Sequence, residues 1–261
     1  MSGLSPQAGG NQVDILALAE GVKRGEVRAV SRLITLLENQ DPSGTAALQR
    51  LEASIGRAAV IGITGYPGAG KSTLIDQLAT AYRRQGKKVG ILAVDTSSPV
   101  TGGALLGDRI RMQDHSGDAG VYIRSMATRG QQGGLARSTH DAVQVLKAAG
   151  YDVILVETVG VGQDEVDVAN VAQTLVAVVA PGLGDEVQAM KAGLFEVAHI
   201  VAVNKGDREG SDMTLRDLKE WVPRVIRTVA VKGEGIPELL EAIAEHQRIV
   251  DLQDNNSPLP R

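Results

Sequence analysis

Ala58-Ala59-Val60-Ile61-Gly62-Ile63-Thr64-Gly65-Tyr66-Pro67-Gly68-Ala69-Gly70-Lys71-Ser72-Thr73 is the stretch on which the reading of the whole chain turns. It opens as an apolar, β-branched run and closes in the pattern G-x-x-x-x-G-K-S, Gly65 to Ser72. The next residues, Leu74-Ile75-Asp76-Gln77-Leu78-Ala79-Thr80-Ala81-Tyr82, repeat apolar side chains at helical spacing. Strand, glycine loop and helix in that order predict a phosphate-binding loop.

The residue types suit that chemistry. Backbone N–H groups of the loop and of the helix start converge on an anion, and a Cβ at Gly65, Gly68 or Gly70 would hinder the wrap. Pro67 and Ala69 complete the loop between them. Lys71 supplies a mobile charge for the β- and γ-phosphates, Ser72 a hydroxyl for Mg²⁺, and Thr73 a donor near the α-phosphate. The bland alternative, a glycine-rich turn beside a solvated lysine, leaves the matching strand and helix unexplained. The chain is expected to bind a nucleoside triphosphate.

Apolar runs then alternate with helical ones. Strands are expected at Lys88–Val94, Asp152–Val156, Thr174–Val179, His199–Val203 and Val225–Val229, with a shorter one at Gly120–Arg124. Helices are expected at Leu135–Ala149, Asp185–Glu196, Leu215–Trp221 and Ile236–Val250. Near-continuous apolar strands suit a mostly parallel sheet flanked by helices, an α/β P-loop NTPase fold with its ligand at the carboxyl ends of the strands. Ahead of the loop, Val13 to Asn39 reads as two amphipathic helices broken near Gly25. Asp41-Pro42-Ser43-Gly44 reads as a turn, and Ala46 to Ser54 as a further helix. The expected organisation is a disordered stretch over 1–12, a small helical cap over 13–55, a P-loop domain over 56–250 and a frayed tail over 251–261. Thr96 to Gln132, rich in glycine and serine, interrupts the rhythm beside the expected nucleotide and reads as a switch region. A plain surface linker is the alternative there.

The 261 residues are 43% hydrophobic, enough for one large domain and an appendage. A net charge of −4 and 2% aromatic content argue against a nucleic-acid partner. With no cysteine there are no disulfides and no thiol chemistry. No apolar run approaches the ~18 residues of a membrane span, and Met1 to Gln12 has no apolar signal core. A soluble cytoplasmic protein is expected.

His199–Val203 runs into Asn204-Lys205-Gly206-Asp207. An N-K-x-D group at a strand end suits guanine, because the aspartate accepts from the ring N–H and the exocyclic amine that adenine lacks. Asn204 braces the loop, and the Lys205 stem can lie over the base. A solvated strand-end tetrapeptide is the plain alternative. Val229 to Gly235 follows the last strand, where a backbone N–H of Ala230 or Val231 would meet the guanine carbonyl. The nucleotides expected are therefore GTP and GDP. Asp95 and Glu157 end strands, and Asp108 lies in the switch segment. With Ser72, these three carboxylates are the expected surroundings of Mg²⁺, Ser72 and Asp108 near the metal and Asp95 and Glu157 on its waters or on the attacking water. The plain alternative for each is a strand-end acid satisfied by loop amides. Lys71, Asp95 and Glu157 are the candidate catalytic residues, and Gly160 would offer its N–H to the γ-phosphate. An activating arginine could come from a partner or from Arg109, Arg111, Arg124, Arg129 or Arg137, so turnover is expected to be slow without a partner.

Together these blocks resemble the MeaB/ArgK family. The resemblance rests on Gly65–Thr73, Val94–Ser98, Thr101–Met112, Arg124–Gly130, Val156–Gln163, Pro181–Glu186 and Asn204–Asp207. It implies a Mg²⁺-dependent GTPase that chaperones an adenosylcobalamin-dependent acyl-CoA mutase, typically methylmalonyl-CoA mutase, gating its cobalamin loading and protecting it from inactivation. It also implies Mg²⁺–phosphate roles for Asp95, Asp108 and Glu157, and a third switch over Gly182–Lys191 facing the mutase. An older family label is arginine/ornithine transport-system kinase. The family usually has proline where Thr96 stands and alanine where Gly206 stands, and the stretch from Asp207 to Trp221 looks shorter than usual. The resemblance implies a homodimer built through an arm beyond the last helix; the chain ends at Arg261 without that arm, so a homodimer is an expectation that would need another route. Three rival readings stand beside it. A nickel-serving GTPase metallochaperone would need Cys/His clusters, whereas the four histidines are scattered. A small-molecule kinase leaves N-K-x-D unexplained, and the third is a regulatory module that binds GTP without hydrolysing it.

Overall fold

In a computed structural model of the chain, residues 13–95, 115, 117–127, 134–158, 171–182 and 193–256 are described. Their strands are β1 (Ala59–Thr64), β2 (Val89–Asp95), β3 (Val121–Ala127), β4 (Val153–Thr158), β5 (Thr174–Val179), β6 (Ile200–Val203) and β7 (Val225–Arg227). They form one seven-stranded sheet in the order β3-β2-β4-β1-β5-β6-β7, every pair parallel. The phosphate-loop strand β1 is central, between β4 and β5, with Ile63 level with Glu157 and Thr64 level with Ala177.

Alternation along the strands builds two cores. Ile61 and Ile63 of β1 and Val153 and Leu155 of β4 pack with α4 (Lys71–Arg84) and α8 (Ile236–Asn256). Val60, Ile154 and Val156 point the other way, to α1 (Ile15–Lys23), α2 (Val27–Glu38), α3 (Pro42–Gln49) and α5 (Gly134–Ala148). With both faces covered, the strands have no solvent side, which explains their continuous apolar character. Burying each large aliphatic side chain contributes about 1.5–3 kcal/mol. The short α6 (Leu194–Val197) and α7 (Ser211–Lys219) flank β6 and β7.

The helices ahead of β1 are fastened to the sheet edge by polar contacts. Arg124 of β3 donates to the Ser31 carbonyl at 3.1 Å and to Thr35 Oγ1 at 3.0 Å, and pairs with Glu38. Tyr122 Oη lies 3.2 Å from Ser31 Oγ. Among the described residues no helix is long and apolar enough to cross a membrane.

Several boundaries differ from expectation for identifiable reasons. Asp41-Pro42-Ser43-Gly44 is a helix start, not a turn: Asp41 accepts from the Ser43 N–H at 2.8 Å and Pro42 takes the first helical position. The helix expected over Ala46–Ser54 is α3 followed by a 3-10 turn, Glu52–Ser54. His199 precedes β6, and its Nδ1 accepts the Leu175 N–H at 2.9 Å. β7 stops at Arg227, and α7 starts at Ser211, after Gly210 at φ +83°. β3 runs on to Ala127 and α8 to Asn256. Of the helix expected over 185–196, residues 185–192 lie outside the described residues.

Candidate functional site

The loop from Gly65 to Gly70 joins β1 to α4, and its glycines are required by geometry. Gly65 sits at φ +136°, and a Cβ there would lie 2.1 Å from the Val178 carbonyl. Gly70 sits at φ +95°, and a Cβ would come within 2.3 Å of Asn204 Nδ2. Gly70 is also the residue that precedes α4, and with no side chain it supplies no cap to that helix. Lys71, 7% exposed, donates to the Gly65 carbonyl at 2.6 Å and the Tyr66 carbonyl at 3.2 Å. Its ammonium is thereby held against the loop.

The N-K-x-D segment meets this loop directly. Asn204 Nδ2 donates to the Ala69 carbonyl at 2.9 Å. Its Oδ1 accepts from the Ala230 N–H at 3.0 Å and from Thr228 Oγ1 at 3.3 Å. One buried amide therefore bridges the phosphate loop, the strand end of β6 and the turn after β7. Lys205, in the left-handed region at φ +56°, donates to the Gly68 carbonyl at 2.6 Å. A Cβ at Gly206 would meet Arg227 Cγ at 2.4 Å, so alanine there asks the Arg227 stem to move.

Asp207 is partly exposed, with Lys232 Nζ 3.0 Å from its Oδ2. The hydrogen bond from Lys232 holds the Asp207 carboxyl below its ordinary range, and the same contact raises Lys232. Lys232 closes the 3-10 turn Ala230–Lys232. Sequence reading missed it because it stands outside the tetrapeptide and reaches Asp207 only through the fold. Of the two backbone donors expected to meet the guanine carbonyl, the Ala230 N–H is engaged by Asn204, and Val231 is 78% exposed.

On the phosphate side, Ser72 Oγ donates to Glu157 Oε1 at 2.9 Å, and Glu157 is only 4% exposed. The contact spans 85 positions and arises because β1 and β4 are neighbours in register. Asp95 ends β2, one residue beyond the Val94–Thr158 pair. Asp108, Gly160, Arg109, Arg111 and Arg129, with most of the expected switch segments, lie outside the described residues. Arg124 is bound to α2 on the face opposite α4, which separates it from the phosphate loop. Arg137 is exposed on α5.

Two hydroxyls were not anticipated. Thr64 Oγ1 and Thr158 Oγ1, at the carboxyl ends of neighbouring strands, are buried with no hydrogen-bond partner among the described residues. The long segment's return is also anchored: Asp118 pairs with Arg83 of α4 through two bonds of 2.8 and 2.9 Å, and His115 lies 3.1 Å from Asp76. A cavity of about 310 Å³ lined by Arg57, Lys87, Lys147 and Asp152, among others, opens at the amino ends of the strands. That is the end opposite the motifs and the wrong one for a ligand of such a sheet.

The family model described as "Methylmalonyl Co-A mutase-associated GTPase MeaB" matches residues 30–257. The Pyrococcus horikoshii protein PH0274 is 53% identical over 247 residues, covering 90% of this chain and 78% of its own. GTPase ArgK of Escherichia coli is 37% identical over 249 residues, covering 87% and 75%. The mouse mitochondrial methylmalonic aciduria type A homolog is 40% identical over 201 residues, 72% of this chain and 48% of that one. Among solved structures, one named LAO/AO transport system kinase superposes with a TM-score of 0.70 at 27% identity, covering 96% and 79%. HypB of Helicobacter pylori in complex with nickel, at 15% identity and a TM-score of 0.56, covers 83% and 96% and shares the fold.

Proposed function

Since the chain belongs to the MeaB family of GTPases, we propose that it binds GTP with Mg²⁺ between its phosphate loop and the Asn204–Asp207 segment, hydrolyses it, and thereby serves an adenosylcobalamin-dependent acyl-CoA mutase. The observation that carries the nucleotide reading is the Asn204 bridge. A single buried side chain fixes the phosphate loop at Ala69 and the base-side turn at Ala230, so both ends of one ligand are held in mutual register.

In this reading the Lys71 ammonium exchanges loop carbonyls for phosphate oxygens and neutralises charge on the β- and γ-phosphates. The amino end of α4 contributes N–H groups and the positive end of its dipole. Ser72 and Glu157 form an all-oxygen pair, the donor chemistry a hard cation takes, with Asp95 and Asp108 as the further acids. Mg²⁺ bound there would neutralise the charge that develops on the transferring phosphoryl group. Water attacks the γ-phosphorus as the bond to the β–γ bridging oxygen breaks, giving GDP and phosphate. Glu157, already aimed at Ser72, is the carboxylate this reading places closest to that chemistry. The base is selected at Asp207, with Val231 the remaining backbone donor for the guanine carbonyl.

The mutase reading follows the family description and the name of the mouse relative. Phosphate release from GTP, measured with and without a cobalamin-dependent acyl-CoA mutase, tests both parts. Slow release alone and faster release with the mutase is expected. A rate of roughly ten per second or more for the isolated chain would remove the need for a partner. Transfer of the phosphoryl group to an arginine or ornithine acceptor would favour the kinase reading instead.

A further inference from the structure

Guanine offers three groups along its base-pairing edge: the O6 acceptor, the N1–H donor and the N2–H donor. A carboxylate only accepts, so Asp207 can meet the two donors and leaves O6 to another group. Of the two backbone donors considered above, the Ala230 N–H is committed to Asn204 at 3.0 Å, so Val231 can meet one lone pair of O6 and the other is open to a side chain. The ammonium of Lys232, 3.0 Å from Asp207 Oδ2, sets a donor directly beside the acceptor.

The backbone holding Lys232 is well fixed. The 3-10 turn Ala230–Lys232 ends at Gly233, in the left-handed region at φ +71°. Val229 donates to the Glu234 carbonyl at 3.0 Å across the turn, and Asn204 holds its first residue. The ion pair itself is half-exposed, a setting in which such pairs contribute little to folding. Its place at the base-reading residue suits recognition better than stability.

Resting on the guanine-nucleotide reading above, we propose that Lys232 is a specificity-determining residue whose ammonium donates to guanine O6 while Asp207 accepts from N1–H and the 2-amino group. Adenine opposes this pair at both positions. Its 6-amino donor faces the ammonium, and its N1 has no hydrogen for the carboxylate.

Three nucleotides separate the contributions. 6-Thio-GDP keeps N1–H and the 2-amino group and replaces O6 with a weak acceptor, whereas IDP keeps O6 and lacks the 2-amino group. Affinities of the full chain for GDP, 6-thio-GDP and IDP are measured for wild type, Lys232→Met and Lys232→Arg. Wild type is expected to prefer GDP over 6-thio-GDP by about tenfold, the scale of one charge-assisted hydrogen bond at a half-exposed site. Lys232→Met should bring that ratio close to one and leave the GDP-to-IDP ratio, which reports on Asp207, unchanged. Lys232→Arg should restore it. An unaltered GDP-to-6-thio-GDP ratio in Lys232→Met overturns the inference. Equal loss in both ratios overturns the direct contact and leaves Lys232 only orienting Asp207. Wild type binding no guanine nucleotide at all would refute the guanine reading itself.

Discussion

Replacing Asn204 with alanine removes one side chain and breaks three hydrogen bonds at once. The Ala69 carbonyl, the Ala230 N–H and the Thr228 hydroxyl lose their partner, and all three residues are at most 2% exposed. A buried polar group left unpaired costs about 1–3 kcal/mol. Water entering the space vacated by the amide recovers part of that, so a net loss of about 3–5 kcal/mol is expected. For a chain of this size each kcal/mol lowers Tm by about 2–4 °C, giving a fall on the order of 10 °C in nucleotide-free protein.

Asn204→Asp divides the effect. A carboxylate still accepts from Ala230 and Thr228, but it cannot donate to the Ala69 carbonyl and instead places negative charge against it. That variant should keep the turn after β7 and lose the phosphate-loop contact. Thermal unfolding by circular dichroism reads stability, and titration with a fluorescent GDP reads the ligand. Both variants should weaken GDP at least tenfold, since the two loops no longer hold one another. A Tm within about 2 °C of wild type for Asn204→Ala, with unchanged GDP affinity, would refute the reasoning.

Lys71→Ala should abolish tight triphosphate binding or turnover while leaving the sheet intact; equal GTP affinity and phosphate release would remove Lys71 from the site. If Asp207 reads the base as proposed, its lowered carboxyl should make guanine affinity insensitive to pH across the neutral and mildly acidic range. The contribution of the ionised form is complete above the ordinary carboxylate value of 3.8 and is lost only as pH falls through the still lower folded value, a course that GDP titrations against pH would follow. In Lys232→Met the Asp207 midpoint, read by NMR, should move up toward 3.8. Arg124→Ala leaves Glu38, 11% exposed in its side chain, without its guanidinium and should destabilise by about 2–4 kcal/mol, seen in denaturant unfolding, with GDP affinity nearly unchanged.

What was legible in the sequence was what the chain writes contiguously. Gly65 to Ser72 and Asn204 to Asp207 each carry their chemistry within eight residues or fewer, and the apolar runs flanking them identify strands buried on both faces. The interior strand Thr174–Val179, all six of whose positions are buried, was readable to the residue. Short polar elements were less readable. Ser211 to Lys219 has only Ser211 and Leu218 buried, so the sequence carries little apolar period to mark its start. The pairings were not readable at all. Ser72 meets Glu157, Arg124 meets Glu38 and Lys232 meets Asp207 because of strand order and loop geometry, neither of which leaves a mark at either residue.

Strand order also explains why the two halves of the site can act on one ligand. In the parallel register β1 lies between β4 and β5, with β6 next, so Gly65, Glu157 and Asn204 emerge at the same edge from strands that are neighbours or one removed. Alternation then assigns each side chain a face. Glu157 shares the side of Val153 and Leu155, where α4 presents Ser72, and Thr158 shares the side of Ile154 and Val156, where α5 packs. Consecutive residues of one strand thus touch opposite layers. Thr64 and Thr158, one step beyond the Ile63–Glu157 pair, keep buried hydroxyls with no partner among the described residues, a setting that costs about 1–3 kcal/mol each. Valine would fill the same space without that cost. A pure packing role therefore predicts that Thr64→Val and Thr158→Val raise Tm and leave GTP turnover alone, whereas a role for the hydroxyls in the site predicts a gain in Tm with a loss of turnover.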